Sequence, residues 1–63
     1  MTPKEIQELL DRRAWTKTDL ASRLGISTRS IDRYMEEQAR PHRNTVRAFR
    51  RLLDAARKER RSA

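Results

Sequence analysis

Read from the amino terminus, the apolar residues recur at helical spacing in four separate stretches. Ile6, Leu9 and Leu10 mark one face of a first helix over about residues 2–13. Leu20, Ala21 and Leu24 mark a short second helix at about 17–24, and Ile31, Tyr34 and Met35 a third at about 28–37. A polar connection from Glu36 to Arg43 follows, and Pro41 biases the residue before it away from helix, which puts a break near Arg40. Val46, Phe49, Leu52, Leu53 and Ala56 then define a fourth helix at about 43–59. No stretch alternates with the period of a strand.

The first three helix starts share one grammar. Thr2-Pro3-Lys4-Glu5 offers a capping threonine, a proline at the first helical position and a glutamate able to reach back to the cap. Thr16-Lys17-Thr18-Asp19 repeats it with aspartate, and Ser27-Thr28-Arg29-Ser30 in a weaker form. Apolar residues flank each start at staple spacing: Met1 with Ile6, Trp15 with Leu20, Ile26 with Ile31. Gly25, the only glycine, falls just past the second helix, where a left-handed residue ends a helix without side-chain strain. Gly25, Ile26 and Ser27 then join two short helices, with small Ala21 permitting their approach and Ile31 placed to pack on Leu20 and Ala21. Two helices crossing steeply through such a turn form a helix-turn-helix. The expected fold class is therefore all-α, a compact bundle of about four helices containing that motif. One domain spans residues 1–59, and 60–63 form a basic tail.

Composition narrows the function. The chain has 63 residues, no cysteine and a single histidine, so disulfides and cysteine metal sites are excluded, and no metal or other cofactor is expected. With no glycine-rich phosphate loop either, an enzyme is not expected. Sixteen Lys and Arg oppose nine Asp and Glu, a net charge of +7, of which residues 26–63 hold +6. That asymmetry favours a polyanion through phosphate neutralisation and counterion release. No window is apolar enough to span a membrane, no signal peptide opens the chain, and a cytoplasmic location is expected. Trp15, Tyr34 and Phe49 all fall at core-like positions, which disfavours RNA, whose readers expose aromatic residues.

The stretch from Trp15 to Phe49 resembles the lambda repressor-like (Cro/CI, XRE) helix-turn-helix family. Lys17 opens the second helix, Leu20 and Leu24 flank Ala21, Gly25 and Ile26 form the turn, and Ser27 caps. Ile31 and Tyr34 then face inward, Pro41 sits in the loop, and Thr45 and Val46 lie early in the next helix. Two positions depart: the family often has Glu where Met35 stands and Gly where Glu37 stands, so the third helix is free to run on to Gln38. The resemblance implies double-stranded DNA as partner and places the third helix in the major groove. Its outward residues Thr28, Arg29, Asp32 and Arg33 are the candidate base contacts, with Arg29 suited to guanine and Asp32 able to accept from a cytosine amino group but expected rather to pair locally with Arg29. Phosphate contacts are expected from Lys17, Ser30, Arg40, Arg43, Asn44 and Arg47. Arg57, Lys58, Arg60 and Arg61 lie remote from the motif and are expected to be solvated; His42 is expected in a loop or cap.

The leading expectation is a sequence-specific transcriptional regulator, a small repressor or autorepressor. The alternatives are a DNA-architectural accessory protein of excisionase or partition type, and a protein-interaction module on the same fold. A homodimer, at least on DNA, is expected through an apolar stretch of the fourth helix: Leu52, Leu53, Ala55 and Ala56.

Overall fold

The structure is a computed structural model that describes residues 1–59; the expected tail at 60–63, with Arg60 and Arg61, lies outside the described residues. Four helices follow in order: α1 (Pro3–Arg13), α2 (Lys17–Leu24), α3 (Thr28–Met35) and α4 (Arg43–Lys58). No strand occurs among the described residues. α2 packs on α3 as the helix-turn-helix, while α1 packs on α3 and α4, and α4 also meets α2.

Each cap expected from the sequence forms. The Thr2 and Glu5 side chains exchange backbone bonds at 3.2 and 3.0 Å, and Thr16 and Asp19 do the same at 3.2 and 3.0 Å. Ser27 accepts from the Ser30 amide at 3.2 Å, and His42 Nδ1 caps α4 by accepting from the Asn44 amide at 3.1 Å. These bonds satisfy amides that the first turn of a helix leaves without partners. They also hold the Glu5 and Asp19 carboxyls below their ordinary range, chiefly through the amide of the cap residue each one faces.

The helix stops share a geometry too. After α1, Trp15 N–H donates to the Leu10 carbonyl at 2.9 Å and Ala14 N–H to Asp11 at 3.4 Å. After α2, Ile26 bonds Ala21 at 3.0 Å and Gly25 bonds Ser22 at 3.2 Å; after α3, Gln38 bonds Arg33 at 2.8 Å and Glu37 bonds Tyr34 at 3.1 Å. All three are Schellman closures around a left-handed residue: Ala14 at φ 57°, Gly25 at φ 71° and Glu37 at φ 58°. The third helix consequently does not run on to Gln38. It ends at Met35, because the closing bonds form with glutamate at the left-handed position.

The core is wholly apolar. Ile6, Leu9, Leu10, Leu20, Ala21, Ile31, Phe49, Leu53 and Ala56 are buried, with no buried polar or charged side chain beside them. Met1, Trp15, Leu24, Ile26, Tyr34, Met35 and Leu52 pack around this cluster, half-buried. Two expected dimerisation residues, Leu53 and Ala56, are thus spent inside the domain, where they cover the apolar face of α1. Only Leu52, half-buried, and Ala55, exposed, remain accessible on that stretch, and no large hydrophobic residue is exposed among the described residues.

Ion pairs clamp α1 to α4 over this core. Arg57 holds Glu8 by two bonds of 2.8 Å, Arg12 adds a third at 2.8 Å, and Arg50 lies 3.6 Å from Glu5. Arg13 pairs with Glu59. Arg57 is therefore not a free solvated charge, contrary to expectation; its partner is 49 residues away in the chain and meets it only once α1 and α4 have packed. The Arg57 and Arg12 guanidiniums hold the Glu8 carboxyl at about 2, well below its ordinary 4.5.

An L-residue in the left-handed region costs roughly 1–2 kcal/mol, partly offset by the greater freedom of glycine in the unfolded chain. Glu37→Gly should therefore raise stability by about 0.5–1 kcal/mol, read as a melting point higher by roughly 2–8 °C. Gly25→Ala should lower stability by a similar amount through strain alone, since a β-carbon there meets nothing within 4 Å. For Glu8 the folded-state pKa is depressed, so its pairing stabilises above pH 4.5 and is lost as pH falls towards 2. Glu8→Gln should melt below the parent at pH 7, and the gap should close at pH 2.

Candidate nucleic-acid interface

α3 can display most of its surface because it is anchored by little. Among its eight residues Ile31 alone is buried, with Tyr34 and Met35 half-buried beside it. Arg29 and Arg33 project from the exposed side, and neither has a carboxylate at ion-pair distance among the described residues. Thr28 stands at the first helical position, where its hydroxyl donates to Thr18 Oγ1 at 3.3 Å. That bond ties the start of α3 to the first turn of α2 and leaves the Thr28 methyl and lone pairs for another partner. Ser30, half-buried, has its hydroxyl 3.1 Å from Ser27 Oγ, either of which can be the donor, so it lies against the cap of α3.

Asp32 departs from the expected local pairing with Arg29. Its carboxylate instead accepts from Lys17 Nζ at 2.8 Å, across the motif from α3 to the first residue of α2. The structure thus joins one candidate base-contacting residue to one expected phosphate-contacting residue. Both are about half exposed, at 46%.

The remaining basic residues divide between two places. Asn44 and Arg47 line a groove of about 350 Å³ between α2 and α4, together with Arg23, Arg51, Ala48 and Leu52. Arg40, in the connection between α3 and α4, lies instead beside a cleft of about 490 Å³ with Met1, Tyr34, Glu37 and Val46. Arg43 is the exposed first residue of α4. Arg23 and Arg51 were not anticipated. Arg51 lies one turn beyond Arg47 on the same face of α4, a spacing that sequence alone carries. Arg23 joins them only through the packing of α2 on α4. Its guanidinium also lies 4.2 Å from the centre of the Trp15 ring, a cation–π distance, and Arg13 reaches the same ring at 6.0 Å. Trp15 is half-buried against the core as the staple spacing implied, with its ring further occupied by these arginines.

Among the described residues no cluster of His, Asp or Glu has the arrangement to hold a metal ion, and no helix is long and apolar enough to cross a membrane. The family model described as a helix-turn-helix domain matches residues 5–63, almost the whole chain. No curated protein and no solved structure matches the chain significantly.

Because Arg23 is the nearer cation on the only tryptophan, Arg23→Met should shift the wavelength or intensity of Trp15 emission while leaving helical circular dichroism unchanged. An unchanged spectrum would mean that the guanidinium does not rest on the ring in solution.

Proposed function

The chain belongs to the helix-turn-helix domain family, of the Cro/CI, XRE type, and on that premise we propose that it is a sequence-specific double-stranded DNA-binding transcriptional regulator, acting as a small repressor or autorepressor. The observation that carries the reading is the exposed face of α3: Arg29 and Arg33 stand on it without carboxylate partners among the described residues, while Ile31 seats the opposite face. A helix so held enters the major groove by its first turns. Arg29 there can donate two bonds to guanine O6 and N7, and Thr28 can meet a thymine methyl; Asp32 accepts only from cytosine or adenine amino groups. Arg33, one turn after Arg29, completes the base-reading set.

Lys17, Arg40, Arg43, Asn44 and Arg47 are the proposed backbone contacts, and they position the reader without reading sequence. Ser30 is a further proposed backbone contact: its hydroxyl can donate to a phosphate while accepting from Ser27. Repression follows by occlusion: a domain that covers a promoter competes with transcription without any chemistry. Pairing on DNA belongs to the same reading. With Leu53 and Ala56 inside the core, the protein has little apolar surface for a free dimer, so Leu52 and Ala55 would meet their counterparts only when two half-sites hold two copies side by side.

Selection of bound sites from random duplexes tests this directly. It should return a consensus arranged as two half-sites about one helical turn apart; random output at low salt would sink the proposal. Against that consensus, Arg29→Ala should cost roughly 1–3 kcal/mol and relax one base position. Arg47→Ala should weaken all duplexes alike and lower the salt slope by about one unit. Sedimentation should find one copy free in solution and two on the selected duplex; a strict one-to-one complex on an asymmetric site would remove the pairing.

A further inference from the structure

The Lys17–Asp32 pair is a contact between two groups that the proposed function sends to different places. Lys17, at the start of α2, is a phosphate ligand, and Asp32, in the middle of α3, faces base edges; in the free protein they hold each other at 2.8 Å. Asp32 is the one acidic side chain of α3, and neither group has a second ion-pair partner among the described residues. Exposed pairs of this kind are weak, so the bond can be exchanged. The exchange has a condition. A carboxylate only accepts, and in the major groove the donors are the amino groups of cytosine and adenine. Opposite guanine O6 and N7 or thymine O4 it meets only acceptors, and it then keeps Lys17.

We propose that Asp32 determines specificity by exchange. Resting on the reading that α3 enters the major groove, the Lys17–Asp32 pair makes the Lys17 phosphate contact conditional on Asp32 meeting a base amino group. On a matching site the amino group takes over the carboxylate and releases the ammonium to a phosphate, displacing a counterion. On a non-matching site the pair stays closed, the ammonium remains neutralised, and no counterion leaves on its account. One residue thereby gates both a base contact and a backbone contact. The remaining structure tolerates its opening: α2 and α3 are capped independently by Thr16 and Ser27, joined by the Thr28–Thr18 bond, and packed through Leu20, Ala21 and Ile31.

The test measures salt dependence of binding for the parent, Asp32→Asn and Lys17→Met on the selected duplex and on a random duplex of equal length, with thermal melts as a folding control. Each phosphate neutralised contributes about 0.9 to the slope of log affinity against log salt. The parent should therefore show a steeper slope on the selected site than on random DNA. In Asp32→Asn the random-DNA slope should rise by about one unit towards the selected-site value. The ratio of the two affinities should fall by roughly 5- to 150-fold. Lys17→Met should narrow the slope difference from the other side, by lowering the selected-site slope alone. An Asp32→Asn protein that keeps the parent's slope difference overturns the exchange, as does a Lys17→Met protein that loses slope equally on both duplexes. Failure of the parent to bind any duplex at low salt would overturn the DNA-binding reading itself, and DNA binding with equal parental slopes overturns the exchange alone.

Discussion

The seating of Ile31 is the constraint on which the rest of the molecule depends. α3 has eight residues and fully buries one of them, so its position relative to α2 and α1 rests on that side chain and the half-buried residues around it. Short helices are unstable alone because nucleation costs more than a few hydrogen bonds return. α3 exists because Ser27 closes its first turn, the Glu37 and Gln38 amides close its last, and Ile31 reaches a cluster with Leu20, Ala21 and Phe49. The economy has a functional side. On the proposed reading of α3 as the helix that meets DNA, burying a wider face would leave fewer positions for Thr28, Arg29, Asp32 and Arg33 to make contacts.

Charge is distributed by the same packing. Two of the three acids of α1, Glu5 and Glu8, meet Arg50 and Arg57 of α4 and neutralise that side of the bundle. The arginines around α3 and along the α2 side of α4 have no such partners among the described residues: Arg23, Arg29, Arg33, Arg47 and Arg51. The net positive charge of the chain is thus concentrated by pairing as well as by composition. Uncompensated charges closer together than the screening length of about 8–10 Å add their fields, which is how a small domain attracts a polyanion before any specific contact forms.

Much of this was legible because helix starts are local. Thr2, Thr16 and Ser27 announce their helices within four residues, and each forms the cap its spacing implied. Helix stops were legible only at Gly25. Ala14 and Glu37 take the same left-handed conformation with side chains that carry no signal for it, so the end of α3 could be misplaced by as many as three residues. Contacts between distant segments were illegible for a different reason. Glu8 with Arg57, Arg23 with Trp15 and Lys17 with Asp32 all depend on how finished helices pack, and Asp32 had a nearer cation in sequence, Arg29, than the one it chose. The wide apolar face of α4 misled in the opposite direction. Its period is that of a helix with one apolar face, but Leu53 and Ala56 are buried within the chain, so that part of the surface expected for a second copy is core.

That burial has a consequence for assembly. A domain of this size reaches a sufficient core only by turning nearly every large apolar side chain inward, and none is left exposed among the described residues. Two copies brought together in solution would meet mainly through charged faces, where like arginines repel. On the proposed reading of two copies on one duplex, DNA would reverse the sign of that term: phosphates between and beneath the copies would neutralise the same arginines, so their mutual repulsion would fall as each binds. Cooperativity can then arise with little protein–protein contact, and its salt dependence would follow the phosphates rather than the apolar area. In such a molecule the small core and the basic surface are not separate features. The buried core closes within one chain, and on the proposed reading the duplex would supply what joins two.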